Sequence, residues 1–286
     1  MLSGIGDPSA LRDLGIAPRV ALSGVGRNLQ DHASVAVEFA RRGRGPFVRH
    51  MRADRLVTNL ARAYVAGSGF ATDLPSGWTA FLKTPRARQL PDIQLIFRAV
   101  PLSAAPWFPG LRPPFADGFA VRALLLRPES RGQVTLRSAD PAAKVRIVQN
   151  LLRSEADRKT LQEGLRLIRE VAERPETAAF IERELAPGPG GWTDTALAAH
   201  VLRSVATAHH PAGTCRMGPH DDAASVVDAE FAVRGTRGLH VVDASVLPDL
   251  VGSNLNASVV MLAELAADIL AGRSLLPRDE ALEMRA

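Results

Sequence analysis

Between Asp92 and Gln149 four short segments follow one another: Asp92 to Val100, Gly118 to Arg127, Gly132 to Ser138 and Val145 to Gln149. Each has the length, β-branched content and turn-rich flanks of a strand. The steps Ser130-Arg131-Gly132 and Ala139-Asp140-Pro141 are short, so consecutive strands are expected to pair antiparallel across them. Directly afterwards Ser154, with Asp157 three residues on, opens a helix in which Leu161, Leu165, Ile168 and Ala172 recur at helical spacing. That stripe needs a sheet face to cover, and the pattern therefore calls for an antiparallel sheet with helices laid on it.

The flanks read differently. The first thirty residues are turns and one short helix, Ser9 to Leu14 ending at Gly15, followed by the glycine pair Gly24 and Gly26 and a period-two strand from Ala33 to Phe39. The Pro187-Gly188-Pro189-Gly190-Gly191 cluster breaks the chain before a second helix, Thr193 to about Arg203, and is expected to mark a return between domains. Near the end, Leu239 to Ser245 reads as a short buried strand, then a turn-rich loop, then a helix from Asn256 to Leu270. Strand, loop and helix in this order resemble the closing unit of a doubly wound sheet, where ligands bind outside the carboxyl ends of strands. The expected fold class is α+β with an α/β portion, divided into residues 1–35, 36–200 and 201–286.

Composition removes several function classes. The chain has 35 Lys+Arg against 30 Asp+Glu, and the basic residues, nearly all arginine, read as scattered among acids with few aromatics interleaved. That is no footprint for nucleic acid. One cysteine excludes an internal disulfide framework and permits a reducing compartment. No basic, then apolar, leader opens the sequence. The most apolar run, Ala257 to Leu270, carries Glu264 and Asp268 and is too short to span a bilayer. The expectation is a soluble, cytoplasmic protein, with peripheral membrane association as the alternative.

The densest chemistry lies in Ala208 to Gly218, AHHPAGTCRMG. His209, His210, Cys215, His220, Asp221 and Asp222 include metal-ligand types, but their spacing fits no CxxC, HExxH or HxxxH arrangement, so no metal is assigned. Nothing near Cys215 marks a lowered-pKa thiol, and it reads as a small apolar filler. His210, followed by proline, sits on a rigid extended turn that aims its imidazole at a fixed point, which suits taking a proton from a hydroxyl. Taken alone it fits a structural role better than a catalytic one. Asn256 reads as the N-cap of the last helix, with Asn254 just before it, and the free amides there favour negative charge. For Asn256 a capping role and a ligand role stand level. No GxGxxG or Walker A loop occurs.

Together these residues resemble the glucose-methanol-choline (GMC) oxidoreductases. The resemblance runs from Leu2 to about Gly272 and rests on SGIG (Ser3 to Gly6), GVGRNLQDH (Gly24 to His32), RPESRGQVTLRSADP (Arg127 to Pro141), HPAGTCRMG (His210 to Gly218), and GLHVVDASVLP (Gly238 to Pro248) followed by NLNAS (Asn254 to Ser258). It implies an FAD cofactor, with Asp243 and Ala244 near its ribityl and pyrophosphate, Asn256 and Ala257 against the flavin ring, and Asn28 among the cofactor contacts. It implies that residues 36–200 form a substrate domain whose antiparallel sheet faces the flavin. His210 matches the family's proton-handling histidine and Asn254 its partner position. The implied reaction is oxidation of an alcohol to an aldehyde or ketone by hydride transfer to flavin, with oxygen or a quinone-type molecule as electron acceptor. Family members carry a strand and GxGxxG loop ahead of the SGIG turn, so the resemblance covers the carboxyl-terminal part and implies an amino-terminal FAD-binding part that this sequence lacks, through a misplaced start, a truncation or its supply by another chain. The alternative reading is a non-catalytic fragment or ligand-binding module unable to hold FAD alone.

Overall fold

The computed structural model describes residues 1–72 and 77–273. In chain order its strands are β1 (Ile5–Gly6), β2 (Val20–Ala21), β3 (Ala33–Arg41), β4 (Trp78–Leu82), β5 (Ile93–Arg98), β6 (Gly118–Leu125), β7 (Gln133–Thr135), β8 (Arg146–Val148), β9 (Ile181–Ala186) and β10 (Ala206–Thr207). Its helices are α1 (Pro8–Asp13), α2 (Pro46–His50), α3 (Ala53–Ala66), α4 (Glu155–Glu173), α5 (Pro175–Ala178), α6 (Asp194–Ser204) and α7 (Leu255–Leu270). They divide into two compact units, one of residues 1–31, 131–150 and 209–286, the other of residues 32–130 and 151–208. Residues 274–286, the tail of the region delimited from sequence as 201–286, lie outside the described residues.

In the second unit an antiparallel sheet runs β10-β3-β6-β5-β4, with β9 also paired to β3. Alternation along the strands turns Val35, Val37, Phe39, Ile93, Leu95, Val121, Ala123 and Leu125 to one side, where Leu161, Leu165 and Ile168 of α4 and Leu197 and Val201 of α6 cover them. The helix rests close on the sheet: a Cβ at Gly164 would stand 2.9 Å from Ile93 Cδ1. Ser154 caps α4 as its sequence indicates, accepting from the Ala156 N–H at 3.1 Å. Asp157 does not close the capping box. Its buried carboxylate accepts the N–H groups of Glu129 and Ser130, each at 2.8 Å, while Ser130 Oγ accepts the Ser154 N–H at 2.9 Å. A buried carboxylate takes whatever backbone donors need partners, and here those lie just beyond β6.

The first unit is smaller and turn-rich. Its core gathers Leu22, Val226, Val227, Phe231, Val233, Val246 and Ala266. Strands β7 and β8 form a hairpin across the Ala139-Asp140-Pro141 step, as expected. The Ser130-Arg131-Gly132 step does not pair β6 with β7. Gly132 instead exchanges hydrogen bonds with Leu29 at 2.7 and 3.0 Å, and the Val134 N–H donates to Gly26 O at 2.7 Å, which draws the hairpin out of the 36–200 region and into this unit. A Cβ at Gly132 would come within 2.2 Å of Val148 O, so only glycine permits that approach.

Three other expectations change. Helix α1 begins at Pro8 and is capped by Asp7, whose carboxylate accepts from Ser9 and Ala10, rather than starting at Ser9. The Pro187–Gly191 cluster turns the chain within the second unit, pinned by Glu184 accepting from Gly188 N and Trp192 Nε1. Residues 239–245 do not form a strand. Leu239 and Val241 bond back to Val233 and Phe231 around a single bridge, and Asp243 then caps a 3-10 turn, Ala244–Val246.

The packing of α4 supplies a stability prediction. Leu165 is fully buried, and Leu165→Ala should cost about 2–5 kcal/mol in denaturant unfolding. Val171→Ala on the open side of the same helix should cost under about 1 kcal/mol.

Candidate active site

All seven residues singled out from sequence, Asn28, His210, Asp243, Ala244, Asn254, Asn256 and Ala257, fall in the first unit. Two glycine-bearing segments organise them. Residues 24–31 and 210–217 run side by side: Gln30 and Ala212 exchange backbone hydrogen bonds at 3.0 Å each, and the Gly26 N–H donates to Thr214 O at 2.8 Å. The contact requires Gly213, whose φ is +87° and where a Cβ would stand 2.6 Å from Asn28 O and 2.8 Å from Asn28 Nδ2. Asn28 itself takes φ +60°, a region asparagine tolerates better than most residues.

The side chains of this pairing hold the loop that leads to α7. Asn28 Nδ2 donates to Gly213 O at 3.3 Å and Pro248 O at 3.0 Å, and its Oδ1 accepts from Arg131 Nε at 2.9 Å. Gln30, which is buried, donates to the same Pro248 O at 3.0 Å and accepts from Leu250 N at 3.1 Å. Arg131 Nη2 closes the frame on Asp249 at 2.8 Å. On the other side, Gly213, Cys215 and Met217 donate their N–H groups to Ala244, Ser245 and Val246. Asn28 is thus occupied by protein partners, and Gln30, Asp31 and Arg131, which sequence reasoning did not single out, are structural members of the site. The motif GVGRNLQDH contained the first two, but nothing in the string shows which of its polar residues is buried.

His210 follows His209, which is exposed at φ +63°, and is itself half-buried. Its backbone N–H donates to Asp31 Oδ1 at 3.0 Å, and Asp31 is buried. Burial pushes the imidazole below the usual histidine range; the Asp31 carboxylate opposes that shift and His209 adds to it. The outcome is a neutral imidazole at pH 7 on an anchored backbone, the form that accepts a proton. Asn254, not Asn256, occupies the N-cap of α7 and makes no side-chain capping bond to the helix. Asn256 and Ala257, in the first turn, are exposed, so the helix presents its positive end and free first-turn amides to whatever lies before it.

The remaining members of the AHHPAGTCRMG stretch have other partners. Burial raises the Cys215 thiol, which keeps it protonated and poorly nucleophilic. Asp222 pairs with Arg216 at 2.6 Å, and that guanidinium holds its carboxyl below the usual range. Among the described residues no three His, Cys, Asp or Glu side chains are placed to hold a metal ion, and no helix is long and apolar enough to cross a membrane.

Residues 128–263 match the carboxyl-terminal domain model of the GMC oxidoreductases. The chain is 36% identical over 271 residues to an alcohol dehydrogenase [acceptor] of Pseudomonas putida, covering 94% of this chain and 48% of that protein. It is 33% identical to the oxygen-dependent choline dehydrogenase 1 of Chromohalobacter salexigens, covering 96% and 48%. Among solved structures it resembles pyridoxine 4-oxidase from Mesorbium loti (27% identity, TM-score 0.77, 96% of this chain and 49% of that one). It also resembles a formate oxidase of Aspergillus oryzae RIB40 solved to follow the effect of a mutation on FAD modification (25% identity, TM-score 0.81, 95% and 51%). The chain belongs to the GMC oxidoreductases and corresponds to their carboxyl-terminal part, spanning about half the length of the curated relatives it matches.

The electrostatics of His210 give a pH prediction. Titration of its imidazole, followed by NMR, should show a midpoint below about 6.5. Because Asp31 raises the pKa, Asp31→Asn, which keeps an acceptor for the His210 N–H, should move the midpoint lower still; an upward shift would contradict the arrangement. The folded chain binds this proton less tightly than the unfolded chain, so the contribution of His210 to stability falls as pH drops through the ordinary histidine range.

Proposed function

We propose that this chain carries the proton-accepting and flavin-facing residues of an FAD-dependent oxidoreductase that converts a small alcohol to an aldehyde or ketone. The observation that carries the reading is His210: half-buried, held neutral by desolvation, and fixed through its backbone to the buried Asp31.

The residues present fit the isoalloxazine half of FAD. The first turn of α7 is open, its N-cap side chain makes no capping bond, and Asn256 and Ala257 are exposed there. A helix start of that kind suits a ring system that gains negative charge on reduction. Asp243 and Ala244, on the turn bonded to Gly213, would lie along the chain that leads to the pyrophosphate. No GxGxxG loop occurs in the sequence, so we assign the adenosine diphosphate half to protein outside these residues. Val260 and Met261 of α7, both more than half exposed, suit further packing in the complete enzyme.

When bound, the flavin supplies a two-electron acceptor for the hydride leaving the carbinol carbon. His210 takes the hydroxyl proton, and Asn254 orients the substrate oxygen. Loss of one proton and one hydride from CH–OH leaves the carbonyl. The neutral state of His210 matters because an imidazolium could not accept the proton.

In the complete enzyme, His210→Ala should lower kcat by about 10²- to 10⁴-fold while the bound flavin spectrum is unchanged. His209→Ala should cost only a few-fold, and Cys215→Ser should be nearly silent. Unaltered turnover in His210→Ala would remove this histidine from the mechanism. Visible spectra of the purified chain titrated with FAD should show weak uptake or none, and a tightly bound flavin bleached by an alcohol would refute the assignment of the ADP half to another region.

A further inference from the structure

The second unit contains a cavity of its own. It has a volume of about 790 Å³ and lies at the Arg41–Gly118 end of the β3–β6 pair, about 25 Å along β3 from Ala33. Four guanidinium groups line it, Arg44, Arg49, Arg52 and Arg55, against one carboxylate, Asp117. Arg52 is taken by Asp54 through two hydrogen bonds. Arg44, Arg49 and Arg55 have no ion pair among the described residues. The concentration is local: residues 41–62 hold seven arginines and a single acid, Asp54, whereas the whole chain has an excess of five basic residues. The basic residues are therefore clustered here, contrary to their scattered appearance along the chain.

Another part of the wall is apolar. Trp107 is fixed by its indole N–H on Val48 O at 2.6 Å and by backbone bonds to Met51 and Ala53 on either side. Phe115 and Pro114 continue that wall. Asp117 accepts the Gly45 N–H at 2.5 Å and so secures the entry to α2. Internal bonds of the protein thus hold Trp107 and the entry to α2 in place, and leave the guanidinium groups of Arg44, Arg49 and Arg55 without an ion pair among the described residues.

We propose that this cavity binds an organic phosphate monoester with a flat ring of up to mononucleotide size. The phosphate, with a charge of about −1.5 to −2 and three acceptor oxygens, meets the forked donors of Arg44, Arg49 and Arg55. The ring lies against Trp107 and Phe115, where a stacked or cation-π arrangement is available. The volume lies within the about 300–1,000 Å³ range of small-molecule sites.

Calorimetric titration of the full chain with phenyl phosphate tests this. One saturable site per chain is expected, with affinity reduced at least tenfold in Arg49→Gln/Arg55→Gln and unchanged in Arg146→Gln, whose arginine lies in the other unit. Trp107→Leu should weaken phenyl phosphate while sparing inorganic phosphate. Circular dichroism of each variant separates loss of fold from loss of binding. Absence of saturable heat with the unmodified chain, equal binding by the double variant, or inorganic phosphate binding as tightly as phenyl phosphate would overturn the proposal.

Discussion

The candidate active site depends on one close approach, that of Gly213 to Asn28. With any side chain at 213 the two segments could not sit at this distance, since both the main-chain oxygen and the side-chain amide of Asn28 lie within 3 Å of the space a Cβ would fill. Once they are together, the carboxamides of Asn28 and Gln30 reach the same carbonyl, Pro248 O, and Gln30 also engages Leu250 N. The loop entering α7 is thereby held by two neutral amides, of which that of Gln30 is buried. Such bonds are costly to break because the partner left behind stays desolvated. A chain of local geometry thus runs from a glycine with φ +87° to the place of Asn254.

How much of this was legible in the sequence differs by element. The α4 stripe was readable because its period is local and the face it covers is continuous. The β7–β8 hairpin was readable as strands, but its address was not, because that is fixed by Gly132 meeting Leu29, a contact more than one hundred residues away in sequence. Helix α3 is absent from the sequence reading although Val57, Leu60 and Tyr64 recur at helical spacing: none of its residues is buried, and Val57, Leu60, Tyr64 and Val65 are exposed, so its apolar positions do not report a core. Strand β9, IERELA, reads as charged because it lies along part of the β3 margin rather than inside the sheet.

At the site the same division holds. HPAGT announced a rigid turn, because proline and glycine constrain the backbone wherever they occur. Its histidine's partner was not announced: Asp31 stands in a motif quoted for its glycines, and only the fold shows that it is buried and that it accepts from His210 N. Helix α7 is legible in the sequence but with its cap two residues late, at Asn256, because both asparagines satisfy the N-cap preference and composition cannot rank them. The segment before it failed as a strand for a related reason. Alternating apolar residues permit extension, but the bonds of Leu239 and Val241 go to a turn at 231–233 that no periodicity encodes.

The chemistry turns on which of two opposed influences governs His210. A buried carboxylate one hydrogen bond from its backbone favours the imidazolium, and partial burial of the ring disfavours it. Desolvation is the larger, so the ring stays neutral at physiological pH. The Asp31 carboxylate that accepts from the main-chain N–H fixes where the histidine stands, and its pull on the ring is outweighed by burial.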